Sequence, residues 1–302
     1  MNRIYTLNQY LKETFGEKVY KLSLDGGFTC PNRDGTLGSR GCIFCSEGGS
    51  GDFAASRSLP IQAQIEEAKA LFSCKKTGTK YIAYFQAFTN TYAPVSRLET
   101  LYRESIQPPE IVGLSIGTRP DCLPDETLTL LAQLNKEKPV FLELGLQTIH
   151  EHTARFIRRG YPLPVFDSAV NRAHQSGLNT VCHLILGLPG ESKNDIFETI
   201  AHINTLPLNG VKLSMLHVLK GTDLANLYQK SPFPIWEQDE YIDLVIDCLE
   251  RLRPDIVIHR MTGDGPADLL IAPDWSKNKR AVLNGIHKRM KERNTWQGRK
   301  EI

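Results

Sequence analysis

Residues 19–45 read VYKLSLDGGFTCPNRDGTLGSRGCIFC and place three cysteines shortly after an apolar segment. The segment Val19–Leu24 predicts a β-strand, because Val, Tyr and Leu suit a half-buried pleated surface. Cys30, Cys42 and Cys45 follow it in a glycine-containing loop with the spacing C-x11-C-x2-C. Active residues of parallel α/β folds lie where strands end. This stretch therefore joins the first strand of the fold to a candidate site.

Further apolar runs recur along the chain, with helix-like segments between most of them. The runs are Tyr81–Phe85, Ile111–Ile116, Val140–Leu146, Thr180–Leu186, Val211–Leu216 and Ile256–His259. The helix-like segments are Pro60–Phe72, Ser96–Ser105, Asp125–Asn135, Pro164–Ser176 and Lys193–Leu206. Strands and helices that alternate at this interval predict parallel βαβ units. Six such units between about residues 20 and 220 predict an α/β fold, a partial (β/α)6 TIM-like barrel. A doubly wound open sheet is the alternative, since hydrophobic periodicity does not separate the two.

The composition is that of an ordinary globular protein. Of the 302 residues, 41% are hydrophobic and 23% are charged, which excludes disorder as the dominant state. No apolar run reaches the ~18 residues of a membrane span, and Met1–Tyr10 lacks the apolar core of a signal peptide. We expect a cytoplasmic protein without membrane contact. Its expected parts are an N-terminal extension (1–19), a core barrel (20–222) and a C-terminal extension (223–302).

The three clustered cysteines are candidate metal ligands. The chain has seven cysteines, and an odd number in a chain expected to be cytosolic argues against a disulfide framework. Thiolates favour zinc or iron–sulfur clusters. Structural zinc normally takes four ligands, and no fourth Cys or His is near in the sequence, where the closest His is His150. Three cysteines leave one iron of a [4Fe–4S] cluster open to a small molecule. The spacing favours the cluster, with zinc and unrelated thiols as alternatives.

A three-Cys loop after the first strand of an α/β barrel resembles the hallmark of the radical S-adenosylmethionine (SAM) enzymes. Their usual spacing is C-x3-C-x2-C, and longer first gaps occur in the branch of the Elongator catalytic subunit, which is related to oxygen-independent coproporphyrinogen oxidase. The phrase DGGFTCPNRDGT, residues 25–36, resembles a bacterial subfamily near that branch that is linked to modification of the tRNA wobble uridine. The resemblance extends from about Tyr10 to Trp275.

This resemblance implies cofactors, partners and a reaction. The cofactors would be a [4Fe–4S] cluster and SAM, and an external one-electron reductant of the flavodoxin or ferredoxin type would serve as electron donor. Reductive cleavage of SAM would yield a 5′-deoxyadenosyl radical that abstracts hydrogen from the substrate. The implied substrate is tRNA, whose wobble uridine would change from carboxymethylaminomethyl toward aminomethyl. The alternatives are a radical SAM enzyme of porphyrin or cofactor metabolism and a non-catalytic protein that binds zinc or RNA.

The resemblance also implies SAM-binding residues after several strands. They are Phe44, Gln86, Ala87, Thr89, Gly117, Gln147, Arg159 and His183. Gln86, Ala87 and Thr89 occupy the place of a Gly-rich stretch that meets the SAM amino group in relatives. Gln147 and Arg159 have the spacing of a SAM-binding Gln and Arg in the coproporphyrinogen oxidase relatives, with Arg158 as the rival. His183 stands where some relatives carry Asp, and a satisfied core histidine is its alternative.

Polar residues after the later strands are candidate substrate contacts. They are Arg119, Asp121, His217, Lys220, His259 and Arg260. An ion pair that steadies the turn before Pro124 is the alternative for Arg119 and Asp121. Structural hydrogen bonding is the alternative for His217 and Lys220. The segment 259–266 is expected to cover the barrel mouth as a polar loop.

The charge is unevenly distributed along the chain. Residues 276–302 contain nine Lys and Arg against two Glu, a net of +7, while the remaining residues carry a net of −5. We expect few internal partners for these cations, so the basic tail predicts contact with a polyanion such as tRNA. A solvated helix end rich in Lys is the alternative.

Overall fold

The computed structural model describes residues 2–72, 77–263 and 265–301. Its strands are β1 (Val19–Leu24), β2 (Lys80–Phe85), β3 (Ile111–Thr118), β4 (Val140–Gln147), β5 (Asn179–Leu186), β6 (Gly210–Met215), β7 (Val218–Leu219), β8 (Val257–Arg260) and β9 (Leu270–Ala272). Seven of them form one parallel sheet in the order β1–β2–β3–β4–β5–β6–β8. This order never reverses, as it would in a doubly wound sheet. The sheet curls into a partial barrel, which confirms the predicted fold class.

The helices follow the predicted alternation. They are α1 (Leu7–Phe15), α2 (Ile61–Ala70), α3 (Val95–Ile106), α4 (Asp125–Glu137), α5 (Glu151–Phe156), α6 (Leu163–Gln175), α7 (Lys193–Asn204), α8 (Asp223–Lys230), α9 (Gln238–Arg251) and α10 (Lys279–Glu292). The five predicted segments appear as α2, α3, α4, α6 and α7. Local chemistry explains their ends: α4 carries Asp125 and Glu126 in its first turn, and Gly177 after α6 adopts a left-handed φ of 73°.

The sheet has one strand more than the six predicted barrel units. Strand β8 lies in the segment assigned to the C-terminal extension, yet it pairs in parallel with β6. Helix α9 precedes it and is buried along Tyr241, Leu244 and Val245. The connection from β6 to β8 therefore repeats the strand–helix–strand pattern, with the short strand β7 inserted after β6; β7 pairs in antiparallel with β9, which follows β8.

The N-terminal segment lies at the open side of the partial barrel, between the edge strands β1 and β8. Helix α1 contacts both of these strands. Thr6 forms an isolated parallel bridge with Ile258, and the amide of Ile258 donates to the carbonyl oxygen of Tyr5 at 2.8 Å. The segment thus covers backbone groups of β8 that would otherwise form an exposed sheet edge.

The two faces of the sheet differ in polarity. Successive strand residues point to opposite faces. Leu22 and Leu24 on β1 are buried in the main apolar core together with Ile65 of α2, which places that core between the sheet and its helices. Charged residues occupy the opposite face, among them Lys21. The inside of the partial barrel is therefore a polar chamber, in contrast to the apolar layer outside.

The basic tail forms helix α10, which packs on the molecule. Val282, Ile286 and Met290, spaced by four residues, are buried on one face of this helix. Arg289 and Arg293 both form ion pairs with Asp243 of α9, at 2.8 and 2.7 Å. Further pairs join tail cations to Asp239, Asp247, Glu250, Asp274 and Glu292. The expectation of few internal partners is therefore wrong, because α9 presents a row of carboxylates to this helix.

Within the described parts of the chain, no helix is long and apolar enough to cross a membrane.

Candidate active site

The three clustered cysteines lie in the long loop between β1 and α2, beyond the carboxyl end of β1. Backbone hydrogen bonds shape this loop: the amide of Arg33 donates to the carbonyl of Cys30 at 2.7 Å, and that of Cys45 to the carbonyl of Cys42 at 3.1 Å. All three cysteines line one pocket with a volume of about 270 Å³ at the mouth of the partial barrel. The tertiary structure thus brings Cys30 beside the two later cysteines despite the long first gap.

The donor set of the pocket bears on the choice between a cluster and a single ion. The described lining residues include Cys30, Cys42 and Cys45 and no fourth cysteine. A structural zinc ion normally takes four protein ligands, whereas three cysteines leave one iron of a [4Fe–4S] cluster open to a small molecule. The three thiols therefore suit a cluster.

The surroundings of the sulfurs also suit an iron–sulfur site. The side-chain amide of Asn32 donates to Cys42 Sγ at 3.4 Å, and Ser50 Oγ lies 3.9 Å from Cys45 Sγ. Hydrogen bonds of this kind tune bound clusters. Burial raises the pKa of the Cys42 thiol to about 12, so iron binding must displace its proton.

The loop is held to the turn that follows β4. Asn32 Nδ2 donates to the carbonyl oxygen of Arg158 at 2.7 Å. Gly160 adopts a φ of 86°, and a Cβ at this position would lie 2.7 Å from Asn32 Oδ1. Only glycine allows the turn and the loop to approach each other so closely. Neither Asn32 nor Gly160 was predicted from the sequence to have a role.

The floor of the pocket is a buried polar cluster centred on Glu143 of β4. Its five hydrogen-bond donors come from five other strands, namely Lys21, Tyr84, Ser115, His183 and Lys212. One carboxylate oxygen accepts from Lys21 and Ser115, both at 2.6 Å. The other accepts from Tyr84 at 3.1 Å, from His183 at 2.8 Å and from Lys212. We call Lys21, Tyr84, Glu143, His183 and Lys212 the floor cluster.

The protonation states in the floor cluster follow from burial and proximity. Burial opposes the ionised form of Glu143, but Lys21 and Lys212 outweigh it and hold the pKa of that carboxyl well below its usual value. Burial lowers the pKa of Lys212 to about 7 and that of His183 to about 4. Near neutral pH, Glu143 is therefore ionised, His183 is neutral, and Lys212 can change its charge.

Comparison with known proteins decides the family. Residues 35–203 match the family model described as the radical SAM superfamily, and residues 208–292 match the radical SAM C-terminal domain. The chain belongs to the radical SAM superfamily. Its cofactors are accordingly a [4Fe–4S] cluster and SAM, for which the three-Cys pocket supplies the expected donors.

Similar proteins match this chain over half of its length or more. The "Uncharacterized protein YtqA" of Bacillus subtilis is 45% identical over 98% of this chain and 92% of its own length. The "Protein YhcC" of Escherichia coli is 36% identical over 89% of this chain and 86% of its own length. The Elongator complex protein 3 of Schizosaccharomyces pombe is 27% identical over 53% of this chain and 29% of its own length. The chain is thus similar to a protein of the Elongator-like branch over about half of its length.

Solved structures confirm the fold of this radical SAM protein. An N-terminally truncated Elp3 of Methanocaldococcus infernus superposes with a TM-score of 0.67 at 16% identity, over 92% of this chain and 64% of the other. Methylornithine synthase superposes with a TM-score of 0.55 at 14% identity, over 96% of this chain and 86% of the other. At these identities the likeness is one of fold.

Most of the residues expected to bind SAM line the pocket. Those that do are Phe44, Gln86, Thr89, Gly117, Gln147, Arg159 and His183. Ala87 is not among the lining residues: it is buried, and a Cβ at Gly51 would lie 2.4 Å from its own. Gln147 has a φ of 64°, a conformation that is costly for a residue other than glycine and is typical of functional positions. Nε2 of His183 is hydrogen-bonded to Glu143, as the alternative of a satisfied histidine expected, although the side chain also lines the pocket.

The expected contact of Arg159 with SAM does not agree with its surroundings. Its guanidinium is buried and donates to the carbonyls of Tyr161, Leu146 and Thr148 at 2.9, 3.1 and 2.6 Å, and to Glu151 at 3.2 Å. These bonds satisfy the turn between β4 and α5. The rival Arg158 forms an ion pair with Asp223 at 2.6 Å.

The substrate candidates divide into two groups. Arg119, His217 and Arg260 line the pocket. The guanidinium of Arg119 also forms the alternative ion pair with Asp121, at 2.9 and 2.8 Å. Nε2 of His217 is buried and accepts or donates no hydrogen bond among the described residues. His217 is thus the candidate with unused hydrogen-bonding capacity at the pocket.

The remaining substrate candidates lie outside the pocket. Asp121 is turned to Arg119, with which it forms the ion pair. The ammonium of Lys220 donates to the carbonyl of Asp268 at 2.9 Å, which is the structural hydrogen bond of the alternative interpretation. His259 lines a second cavity with Tyr5 and Tyr10, since it packs against Gly210 at the amino end of β6. Neither Lys220 nor His259 is among the residues that line the pocket of the cysteines, so their contact with the substrate stays a prediction without structural support.

Apart from His183, the floor cluster is the part of the site that was not predicted from the sequence. Three of its charged members stand alone within apolar strands: Lys21 in VYKLSL, Glu143 in VFLELGLQ and Lys212 in GVKLSM. A charge flanked by apolar residues in a buried strand must be paired or line a cavity. That pattern was the available signal.

Proposed function

We propose that this radical SAM enzyme modifies the wobble uridine of tRNA and converts its carboxymethylaminomethyl group toward aminomethyl. The observation that carries the substrate class is the likeness to proteins of the Elongator-like branch. One of them, in Methanocaldococcus jannaschii, is named tRNA uridine(34) acetyltransferase and is 25% identical over 53% of this chain and 30% of its own length. This chain spans less than a third of that relative's length. The assignment of tRNA as the substrate of this chain is therefore part of the proposal.

The residues of the pocket would divide the work between cofactors and substrate. Cys30, Cys42 and Cys45 would hold the cluster, which when bound supplies the electron for reductive cleavage of SAM. Gln86, Thr89, Gly117 and Gln147 are the proposed contacts of SAM. The partial barrel would limit access of water to the reacting groups. An external reductant of the flavodoxin or ferredoxin type is the proposed electron donor.

Helix α10 has fewer cations available for contact with RNA than the composition of the basic tail suggested. Arg289 and Arg293 are neutralised by α9, whereas Arg280, Lys288 and Lys291 are exposed. Exposed cations on one helix suit phosphate contacts, which depend steeply on salt. We propose that these three residues contribute to tRNA binding.

The test compares tRNA from cells with and without the gene. The proposal expects loss of the gene to raise carboxymethylaminomethyluridine and to lower its aminomethyl derivatives, as measured by mass spectrometry of nucleosides. Anaerobically reconstituted enzyme with SAM and a reductant should perform the conversion on the isolated tRNA. The Cys42→Ala variant is the matched control and should not. Unchanged nucleosides together with an inactive reconstituted enzyme would overturn the proposal and favour a small-molecule substrate.

A further inference from the structure

The floor cluster lies deeper in the barrel than the cysteines, although both border the same pocket. Glu143, His183 and Lys212 line the pocket together with Cys30, Cys42 and Cys45. The cysteines belong to a loop beyond the carboxyl end of β1. Lys21 and Lys212 are instead the third residues of β1 and β6. A group that reaches the floor cluster must therefore enter farther than one bound at the cysteine loop.

The carboxylate of Glu143 has no capacity left for a ligand. It accepts five hydrogen bonds, two on one oxygen and three on the other. A carboxylate offers about four lone-pair sites. Glu143 therefore cannot be the receptor for an ammonium or hydroxyl group of the substrate, and its role is to hold the surrounding donors in place.

The ammonium of Lys212 is the group of the floor cluster that can donate a further hydrogen bond into the pocket. The ammonium of Lys212 donates to Tyr84 at 2.8 Å and to Glu143. An ammonium has three N–H groups, so one remains for a further acceptor after these two bonds within the described chain. Lys212 is buried yet borders the pocket. Its third N–H therefore offers a donor to a bound molecule.

The charge of the floor cluster points to the same kind of ligand. Two lysines, Lys21 and Lys212, share the single negative charge of Glu143, Arg260 lines the same pocket, and Tyr84 and His183 are neutral. A surplus positive charge in a buried site is costly unless an anion compensates it. The surplus positive charge favours an anion, and a carboxylate oxygen can accept the remaining N–H of Lys212.

We propose that the floor cluster is the receptor for a carboxylate on the substrate side chain, with Lys212 as the direct ligand and Glu143 as its positioning residue. This inference rests on the proposed function in one respect: the carboxylate is then that of the carboxymethylaminomethyl group. Binding of this group at the floor would distinguish the modified uridine that is to be trimmed from one that has already lost its carboxylate.

The experiment measures binding without turnover. The holoenzyme is reconstituted anaerobically with its cluster and SAM, and no reductant is added. Two anticodon stem-loop RNAs are compared, one with carboxymethylaminomethyluridine and one with methylaminomethyluridine, which lacks the carboxylate. Wild-type protein should bind the first at least ~10-fold more tightly, as expected for a hydrogen bond between charged groups. Lys212→Met should bind both RNAs equally.

Two further variants keep the result interpretable. Lys220→Met removes an exposed lysine outside the pocket and should keep the wild-type preference. Lys212→Arg restores a cationic donor and should recover part of the preference if Lys212→Met fails to fold. A wild-type protein that binds both RNAs equally, or a folded Lys212→Met protein that keeps the preference, overturns the inference.

Failure of the inference and failure of the proposed function give different results. If the tRNA is converted but the preference is absent, the function stands and the carboxylate receptor does not. If the tRNA is not converted at all, sarcosine, which carries the same secondary ammonium and carboxylate, serves as the probe and dimethylamine as its control. Sarcosine should then raise the melting temperature of wild-type holoenzyme but not that of Lys212→Met. The absence of this difference overturns the receptor as well.

Discussion

Asn32 Nδ2 donates to the carbonyl oxygen of Arg158 at 2.7 Å and thereby joins the cysteine loop to the turn after β4. The same amide also points to Cys42 Sγ at 3.4 Å. One side chain therefore fixes the position of a cluster ligand relative to the strand that carries Glu143. The geometry of the cofactor site and that of the pocket floor depend on each other through this contact.

Replacing Gly160 by Ala should damage this contact. The new Cβ would lie 2.7 Å from Asn32 Oδ1, on a backbone with a φ of 86°. Gly177→Ala is the matched control, since Gly177 has a φ of 73° but its added Cβ would meet no atom within 4 Å. We expect a loss of unfolding free energy of about 1 kcal/mol in the control and about 2–4 kcal/mol in Gly160→Ala. Urea unfolding measures both, and equal losses would contradict the role of Asn32.

Loss of any one clustered cysteine should abolish stable binding of the cluster. Cys30→Ala, Cys42→Ala and Cys45→Ala each leave two thiolates, which are too few for four irons. Iron and sulfide analysis after anaerobic reconstitution measures the effect. Cys248→Ala is the control, because that thiol is buried in α9 and should leave the iron content unchanged. Near-stoichiometric iron and sulfide in the triple variant would refute the assignment.

Arg159 and Gln147 should have different effects. Arg159→Ala leaves the carbonyls of Leu146, Thr148 and Tyr161 without their donor in a buried turn. We expect unfolding free energy to fall by about 2–5 kcal/mol. Gln147→Ala should leave stability nearly unchanged and weaken SAM binding, as measured by equilibrium dialysis. A stable Arg159→Ala protein with weakened SAM binding would instead restore the direct contact expected from the sequence.

Binding of the carboxylate-bearing RNA should depend on pH through Lys212. Tyr84, Glu143, Lys21, His183 and Arg260 face its ammonium. Burial lowers the pKa of Lys212 to about 7, so the ammonium is charged below that pH and loses its proton above it. Glu143, with its pKa held low, and His183, with a pKa of about 4, keep their charge states in this range.

The preference for the carboxylate should therefore decline as pH rises from about 6 to 9. Lys212→Arg should show a flat profile, because a guanidinium stays protonated throughout. Fluorescence anisotropy with the two stem-loop RNAs measures both proteins. A pH profile that is the same in wild type and Lys212→Arg would assign the titration to another group.

Charge reversal on α10 tests its contact with RNA. Lys288→Glu with Lys291→Glu changes two exposed residues and should weaken tRNA binding and flatten its salt dependence. Folding should be unaffected. Arg289→Glu with Arg293→Glu would instead place negative charges against Asp239, Asp243 and Asp247. That control should lose stability, measured by thermal unfolding. Unchanged tRNA affinity in the first variant would remove α10 from the proposed interface.

The sequence determined the features that depend on neighbours along the chain. Alternating apolar runs such as Val19–Leu24 specified strands, since the period of burial is a local property. Gly177 and the acidic start of α4 marked helix ends through backbone conformation and the helix dipole. The donor chemistry and spacing of Cys30, Cys42 and Cys45 likewise indicated the cofactor loop, because both are properties of one short segment.

Only the tertiary structure decided which side chains meet. Lys21, Glu143 and Lys212 are far apart in sequence, and the curl of the sheet brings them together inside the barrel. From the sequence alone, Arg159 and Arg289 could each bind a carboxylate or a phosphate of a ligand. In the structure both are already hydrogen-bonded to groups of this chain. A charge pattern shows which interactions a side chain can form. Whether those interactions remain available to a ligand depends on packing between distant segments, which local periodicity does not encode.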